Sequence, residues 1–517
     1  MQKNMSKYPV VDVFAGPGGL GEGFASFLDE QGNPKFESIA SFEVDDFSHR
    51  TLHLRHFVRT FPEGEFPDEY YKFLKDEISL KELFALFPNS KEEADKTALK
   101  ISLGPKNHAR VRKLINHKLA KKKKWALVGG PPCQAYSLVG RSRMMSDPEF
   151  EKDIRHFLYR EYLKIIIDHR PPVFVMENVK GLLSARVKDK LVIDMIVSDL
   201  SNPKAALGNQ PNGLGYKLYS LSEDEIPGEE IDPRLFLVKA EEYGVPQCRH
   251  RMFIVGIRND INVRPGRLSR QKAPTVKQVI GNLPPIRSGL SRGKDDPIKW
   301  RKEVAKLAKM GIRKGMNGTD YSGEIFSNIV TSINCGRIPE ERFSSKYPSK
   351  PRCRHEAVSG LYDPRLSVLT GHESRGHMPS DLHRYMFAAA FSQATKTTPK
   401  LSDFPKVLLP AHQNVELGRA GKMFSDRFRV QLPDRPSTTI TSHISKDGHY
   451  FIHYDPVQCR SLSVREAARL QTFSDNYSFQ GPRTSQYHQV GNAIPPYLAR
   501  QIAEIIGEVL DAMKGGR

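Results

Sequence analysis

A cysteine that follows two prolines is the residue in this sequence with the clearest chemical potential. The segment GGPPCQAYS, residues 129–137, comes directly after the apolar run WALV. The prolines stiffen the loop, and a helix N-terminus or a nearby cation would lower the pKa of the thiol. We interpret Cys133 as a nucleophile presented at a strand end. The alternative is a buried structural cysteine.

An acid and two guanidiniums form the second chemical group. Glu177 follows the apolar run VFVM, and partial desolvation at a strand end raises a carboxyl pKa toward neutrality. In QCRHRMFIVG, residues 247–256, strand alternation places Gln247, Arg249 and Arg251 on one face. Two such guanidiniums can bind a phosphate or a base carbonyl. The alternatives are that Glu177 is a turn or helix-capping acid and that the segment 247–251 is an exposed strand start.

A glycine-rich turn supplies the third group. In DVFAGPGGL, residues 12–20, glycines let the backbone turn tightly and approach a ligand, and a following helix would offer free N–H groups. Glu43 stands at the end of the next strand-like run, where an acid can bind ribose hydroxyls. These residues alone indicate a nucleotide or S-adenosylmethionine site. A glycine turn without a ligand is the alternative.

Such groups converge only if the strands before them end at one edge of a sheet. Five short apolar runs predict buried parallel strands: YPVVDVF, SIASFEV, WALV, VFVM and MFIVGI. The architecture is therefore predicted to be α/β and doubly wound, with sites at the carboxyl ends of the strands. A last helix begins near Pro495-Pro496 and buries a face formed by Leu498, Ile502, Ile505 and Val509.

Composition narrows the class of protein. The 517 residues carry 79 Lys and Arg against 59 Asp and Glu, a net charge of +20, which suggests a polyanionic partner. The five cysteines are scattered and form no CxxC pair, which fits a reducing cytosol. No apolar stretch approaches the roughly 20 residues of a membrane span, and no secretory leader is recognised. We expect a cytoplasmic protein.

The chain is predicted to contain two domains. A catalytic domain covers 1–258 and holds a polar, helix-rich insertion at about 59–124. A second, mixed domain covers 259–455, and 456–517 returns to the first domain. We interpret the lysine run 121–124, which ends the insertion, as a solvated face, with a DNA contact as the alternative.

Six segments in order resemble the cytosine-5 DNA methyltransferases of prokaryotic restriction-modification type. They are DVFAGPGGL, GGPPCQAYS, MENVKGL, QCRHRMFIVG, REAARLQTF and QVGNAIPP. The resemblance implies a Rossmann-like, mostly parallel sheet of the S-adenosylmethionine-dependent methyltransferases. It also implies that the second, smaller domain is a target-recognition domain inserted before the C-terminal helix.

The resemblance assigns a role to each catalytic candidate. The target cytosine is flipped out of the duplex, and the Cys133 thiolate attacks its carbon 6. Glu177 protonates or hydrogen-bonds ring nitrogen 3. Arg251, supported by Arg249, holds the exocyclic carbonyl oxygen, and carbon 5 takes the methyl group at a specific site in DNA.

The resemblance also implies S-adenosylmethionine as the cofactor, with Phe14 against its adenine and Glu43 on its ribose. The residues implied to form its site are Phe14, Ala15, Gly16, Pro17, Gly18, Gly19, Leu20, Glu43, Val44, Pro132, Asn492 and Ala493. No metal is expected, since a sulfonium is already an activated methyl donor. The family's adenine-contacting aspartate is left unassigned, because the 59–124 insertion occupies its region.

Double-stranded DNA is the implied partner, and a cognate restriction endonuclease is a functional one. We expect a monomer that is associated with the nucleoid and binds no membrane. Two alternatives remain: a tRNA cytosine-5 methyltransferase, and a non-catalytic DNA-binding homologue. Four histidines and Cys353 in the second domain lack the spacing of a zinc finger, so DNA-facing or solvated roles are favoured: His355, His372, His377 and His383.

Overall fold

A computed structural model shows that the chain folds as two compact units. The first comprises Met1–Lys272 and Ala493–Arg517, and the second comprises Ala273–Asn492. The structure describes residues 7–513 apart from 63, 133–153, 188–189, 209–212, 214, 224–230, 292–293, 311–326, 328–330, 332–337 and 411–425. The chain thus leaves the first unit once and returns to it for its last helix.

Strands of the first unit are short and apolar. In chain order they are β1 (Tyr8–Val13), β2 (Phe36–Phe42), β3 (Ala98–Leu99), β4 (Ala126–Gly129), β5 (Val173–Val179), β6 (Arg186–Val187), β7 (Lys190–Leu191), β8 (Tyr216–Tyr219), β9 (Leu237–Lys239), β10 (Gln247–Cys248) and β11 (His250–Arg258). The second unit adds β12 (Gly289–Leu290), β13 (Gly376–His377) and β14 (Ser437–Thr438).

The central sheet has the order β3-β2-β1-β4-β5-β11-β8, and β9 also pairs with β11. Strands β1 to β5 pair in parallel, so their carboxyl ends share one edge. Helices surround this mostly parallel sheet, and the predicted fold class is confirmed. The central strands are buried on both faces, which explains why they are continuous apolar runs.

The prediction that MFIVGI forms a parallel strand is wrong. Strand β11 is antiparallel to β5, with Arg251 opposite Val179 and Phe253 opposite Glu177. A continuous apolar run indicates burial on both faces, and this burial is the same for either strand direction. The direction depends on the route of the chain between the strands.

Sixteen helices are named within the described residues. Those of the first unit are α1 (Gly19–Ala25), α2 (Asp46–Val58), α3 (Asp68–Leu74), α4 (Leu80–Leu86), α5 (Pro88–Thr97), α6 (His108–Leu119), α7 (Ile154–His169), α8 (Val192–Ser201) and α9 (Pro203–Ala206). The second unit contains α10 (Val276–Ile280), α11 (Pro297–Lys309), α12 (Glu356–Ser359), α13 (Pro379–Thr395), α14 (Val464–Leu470) and α15 (Arg483–Asn492), and α16 (Pro496–Ala512) belongs to the first unit.

The insertion at 59–124 is helical for most of its length, but it also contributes to the sheet. Strand β3 lies within it and pairs with β2, Ser41 opposite Ala98. The last helix, α16, follows the predicted pattern, since its predicted apolar face is at most 5% exposed. Among the described residues, no helix combines the length and apolar character that a membrane span requires.

The second unit has its own apolar core, in which α13 is central. Its Leu382, Tyr385 and Phe387 are fully buried with Trp300 of α11. The Trp300 indole donates to the Ser288 hydroxyl at 2.9 Å, so the one polar atom of this ring is satisfied.

Candidate active site

The carboxyl edge of the sheet brings the predicted catalytic segments together. Val13 of β1 is opposite Gly129 of β4, which is opposite Met176 of β5. The segments that follow these positions therefore start side by side: Phe14, Gly130 and Glu177. In a parallel sheet this edge is where ligands bind.

Glu177 and Arg251 form an ion pair across β5 and β11. The Arg251 Nε lies 3.1 Å from Glu177 Oε1, and both side chains keep a small exposed fraction of 14–17%. Burial raises the pKa of the Glu177 carboxyl, and the guanidiniums of Arg251 and Arg249 only partly oppose this effect. A carboxyl with a raised pKa keeps its proton to a higher pH than an exposed glutamate and can present it to a ligand.

Arg249 lies closer to the interior than its neighbour. It is 1% exposed, and burial together with the Arg251 charge lowers its pKa. The strand that underlies the predicted alternation of Gln247, Arg249 and Arg251 is interrupted at Arg249, between Cys248 and His250. There the Arg249 N–H bonds back to the Gln247 carbonyl at 2.8 Å. Arg249 still interacts electrostatically with both Glu177 and Arg251.

The proline segment lies against the same carboxyl. A Cβ added at Gly130 would be 2.8 Å from Glu177 Oε2, so only glycine leaves the carboxyl its present place. The Asn178 amide donates to the Pro131 carbonyl at 3.2 Å and ties the segment to β5. Pro132 is the last described residue here. Cys133, the predicted nucleophile, lies outside the described residues.

The glycine-rich loop after β1 adopts backbone conformations that few residues allow. Phe14, Gly16 and Gly18 have φ values of 59°, 58° and 100°. The value at Phe14 is uncommon for a side-chain-bearing residue and marks a locally strained position. A Cβ at Gly19 would lie 2.3 Å from the Ile494 carbonyl oxygen, so α1 starts in direct contact with the backbone before α16.

Glu43 holds the opposite side of this loop. Its Oε2 accepts from the Gly16 N–H, and its Oε1 accepts from the N–H groups of Val44 and Asp45, each at 2.7 Å. The next side chain, Val44, is apolar and 59% exposed. A carboxylate, a turn of backbone amides and an uncovered apolar side chain suit a nucleoside-containing ligand.

The other predicted cofactor residues differ in exposure. Ala15, Pro17, Gly18, Gly19 and Leu20 are buried, so those side chains mainly shape the loop. Ala493 is 4% exposed and belongs to the first unit. Asn492 is the last residue of the second unit, where its amide lies 3.1 Å from His488 Nδ1.

Sequence reasoning missed three residues around this edge. Asp12 lies under the glycine loop, 1% exposed, and burial raises its pKa to about 7. Asn178 holds Pro131. Lys100 follows β3 and pairs with Asp46 at the start of α2. Two-residue strands leave no periodic signal, so the position after β3 is invisible in the sequence.

The four histidines considered in the sequence are hydrogen-bonded within the protein, and the expected solvated or DNA-facing position is wrong for His372, His377 and His383, which are buried. His372 lies 2.9 Å from the Ser463 hydroxyl and 2.8 Å from the Pro284 carbonyl, and His383 lies 2.8 Å from the Glu303 carbonyl. His377 is buried beside Ser461, and His355 accepts from the Ala357 N–H. Within the described ranges, no group of three or more His, Cys, Asp or Glu residues could hold a metal ion.

Comparison with known proteins gives a consistent result. Residues 82–508 match the model of the family described as C-5 cytosine-specific DNA methylase. The type II methyltransferase M.Bpa9945I of Bacillus paralicheniformis is 30% identical, over 97% of this chain and 99% of its own length. The DNA (cytosine-5-)-methyltransferase M.ApeKI of Aeropyrum pernix is 27% identical, over 75% of this chain and 82% of its own.

A solved structure supports the fold. A prophage-encoded Escherichia coli protein that carries the name DNA modification methyltransferase superposes with a TM-score of 0.51. It is 17% identical, and the alignment covers 98% of this chain and all of the other. At this identity the likeness concerns the fold alone.

Proposed function

Because the chain belongs to the family of C-5 cytosine-specific DNA methylases, we propose that it methylates carbon 5 of cytosine at a specific site in duplex DNA. The methyl group comes from S-adenosylmethionine, and the target base is flipped into the carboxyl edge of the first unit. The observation that carries this proposal is the Glu177 carboxyl, whose pKa is raised by burial and which lies between Arg251 and the segment before Cys133.

In the proposed reaction the Cys133 thiolate adds to carbon 6 of the ring. Glu177 gives a proton or hydrogen bond to nitrogen 3, which draws electrons from carbon 6 and makes that addition easier. Arg251 holds the exocyclic oxygen, and Arg249 reinforces the positive field behind it. The electron pair displaced onto carbon 5 would then form the new bond to the methyl carbon, while the methyl–sulfur bond breaks and its electron pair stays on the sulfur of the departing S-adenosylhomocysteine. Loss of the carbon-5 proton and cleavage of the carbon–sulfur bond restore the aromatic ring and the thiolate.

The glycine loop and Glu43 would hold S-adenosylmethionine. When bound, it supplies a methyl group on a positively charged sulfur. Glu43 would exchange one or more of its backbone partners for ribose hydroxyls. Phe14 and Val44 would cover the apolar base, which fits the exposure of Val44. Pro132, Asn492 and Ala493 are the remaining proposed contacts.

We assign target recognition to the second unit. Four exposed cations follow one another there within a short segment: Lys346, Lys350, Arg352 and Arg354. Side chains of this type contact phosphates and guanine edges. The names of the relatives suggest a restriction-modification setting, in which methylation protects the host DNA from a cognate endonuclease.

The test uses purified protein and tritium-labelled S-adenosylmethionine. Label incorporation is compared between duplex DNA and total tRNA, and modified cytosines are mapped by bisulfite sequencing. We expect label in DNA at one short motif. Cys133→Ala should abolish the labelling, because this variant lacks the proposed nucleophile.

Cys459→Ala is the matched control, since it removes a thiol from the apolar core of the second unit, outside the segment assigned to DNA contacts, and thermal unfolding verifies that this variant is folded. This variant should retain the labelling of wild type. Label in tRNA alone would indicate a tRNA cytosine-5 methyltransferase instead. Cofactor binding without label in either nucleic acid would support the non-catalytic alternative.

A further inference from the structure

A basic cleft lies at the amino edge of the central sheet, opposite to the active site. Its volume is about 990 Å³, and it belongs entirely to the first unit. Six cations line it: Lys7, Lys122, Lys123, Lys124, Arg170 and Arg258. None of the proposed catalytic or cofactor residues lines this cleft.

The topology of the sheet explains why these cations converge. Lys7, Lys124 and Arg170 come just before β1, β4 and β5, which are neighbouring parallel strands and so begin at one edge. Strand β11 is antiparallel, so its last residue, Arg258, returns to the same edge and donates to the Arg170 carbonyl. A cation thus stands at the amino edge of each of four adjacent strands.

Cations outnumber acids among the residues that line the cleft. Among the described residues that line it, Asp260 is the one carboxylate, and it pairs with Arg258 at 2.6 Å. His169 also lines the cleft, but burial lowers its pKa to about 4, so it is neutral at physiological pH. Lys7, Lys122, Lys123 and Arg170 are exposed. The cleft therefore attracts an extended anion.

A nucleic-acid backbone fits this cleft better than a protein surface does. Lysines are depleted in the cores of protein interfaces, whereas Lys and Arg dominate phosphate contacts. Apolar residues also line the cleft, but none of the large apolar side chains found exposed in the described chain is among them, so the charged groups are what the cleft mainly offers to a partner. The four strand ends span about 14 Å, a length that matches about four phosphates of one DNA strand.

We propose that the amino-edge cleft binds the phosphate backbone of a second DNA segment, without reading its sequence. Strand β5, which separates Arg170 from Glu177, is about 20 Å long. The active site and the cleft lie at opposite ends of this strand, so a duplex bound at one edge leaves the other edge free to bind a second duplex. Holding a neighbouring segment would raise the local concentration of DNA around the active site. This inference rests on the proposed function in one respect: it takes the first DNA segment to be the one bound at the active site.

Binding stoichiometry tests this proposal. The probe is a duplex of about 12 base pairs that contains only A·T pairs, so that it carries no cytosine to methylate, at low salt. Isothermal titration calorimetry should find two duplexes per chain for wild type. The triple variant Lys122→Gln, Lys123→Gln, Arg170→Gln should bind one. Its salt slope should be smaller by about 0.9 for each phosphate that it no longer neutralises.

The matched control removes the same charge elsewhere in the first unit. The triple variant Lys72→Gln, Lys75→Gln, Lys81→Gln changes exposed lysines of α3 and α4 and the residue between them, and it should still bind two duplexes. Thermal unfolding of both triple variants verifies that each one is folded.

The outcomes separate the two proposals. If wild type binds one duplex and the cleft variant binds none, the cleft proposal stands, and the proposed function is decided separately by the labelling of cytosine-containing duplex DNA. If the cleft variant binds as many duplexes as wild type, the cleft proposal is overturned. A wild-type chain that binds no duplex overturns it as well.

Discussion

The Glu177 carboxyl lies near two guanidiniums, and its pKa is nevertheless raised, because loss of water outweighs their attraction. Burial thus raises the pKa of Glu177, and the two guanidiniums limit how far it rises. Such a carboxyl keeps its proton at a pH where an exposed glutamate has lost it, which is the property that the proposed role of Glu177 requires. Arg251, at 3.1 Å, is the nearer of the two tuning groups.

Replacing Arg251 tests this balance. In Arg251→Met the pKa of Glu177 should rise further, because the charge that stabilised its ionised form is gone. If protonated Glu177 is required, activity falls as pH rises through its pKa, so this descending limb should move to higher pH. The maximal rate should fall about 100-fold or more, since methionine cannot donate to the exocyclic carbonyl oxygen. The measurement is kcat/KM against pH.

Arg234→Met is the control, because it removes an exposed guanidinium that pairs with Asp232 away from the site. Its pH profile should match that of wild type. If the descending limb of the kcat/KM profile stays at the same pH in Arg251→Met, the assignment of Glu177 as the group that holds the proton is contradicted.

Asp12 is a second carboxyl whose ionised form is destabilised by burial. Its pKa rises to about 7 because it is buried, although Arg59 and the Gly21 amide oppose this. The folded state thus favours the protonated form, so stability is greatest below the unfolded pKa near 4 and is lost as pH rises through about 7.

Asp12→Asn should therefore stabilise the protein at high pH. The gain in free energy of unfolding should reach up to about 4 kcal/mol at pH 8 and be about 2–3 kcal/mol smaller at pH 5. Urea unfolding at the two pH values measures it. Asp260→Asn should show the opposite trend, because Arg258 lowers the pKa of that carboxyl. Equal effects at both pH values would refute the burial argument for Asp12.

At the scale of elements, the close packing of two helices positions the glycine-rich loop after β1. Helix α1 meets α16 through glycines: a Cβ at Gly23 would lie 2.5 Å from the backbone of Ala499 and Arg500. The helix that opens the glycine loop is thereby held by the last helix of the chain. The contact depends on residues nearly 500 positions apart in sequence.

Gly23→Ala should force these two helices apart. We expect a loss of about 1–3 kcal/mol in the free energy of unfolding, together with weaker S-adenosylmethionine binding. Urea unfolding and equilibrium dialysis measure the two effects. Gly104→Ala is the control, because a Cβ there meets nothing within 4 Å. Wild-type stability in Gly23→Ala would show that the helices can separate at no cost.

At the scale of the whole molecule, the charge of +20 is distributed over functionally different surfaces. One cationic segment belongs to the second unit, around Lys350 and Arg352, and another lines the amino-edge cleft of the first. Counterion release should therefore dominate DNA affinity.

The logarithm of the DNA dissociation constant should rise linearly with the logarithm of salt concentration. With six or more phosphate contacts, affinity should fall at least about 1,000-fold between about 50 and about 200 mM salt. Fluorescence anisotropy with a duplex substrate measures this. Binding of S-adenosylmethionine to the glycine loop should change little over the same range. DNA affinity that stays constant with salt would contradict a phosphate-dominated interface.

Local patterns in the sequence determined much of this protein. Apolar runs predicted the strands, glycines the turn after β1, and paired prolines the stiff segment before Cys133, because each signal depends on neighbours within a few residues. The sequence also identified Glu177, Arg249 and Arg251 as candidate catalytic residues, because a charged residue beside a predicted strand can be recognised without the tertiary structure. Their roles remain predictions.

Other features were decided only by tertiary structure. The antiparallel direction of β11, the two-residue strand β3 and the break at Arg249 depend on partners far away in sequence. The raised pKa values of Glu177 and Asp12 arise from burial by several elements at once. The basic cleft exists because three parallel strands begin, and the antiparallel strand β11 ends, at the same edge of the sheet. The four cations are far apart in sequence, so their spacing does not predict that they lie close together.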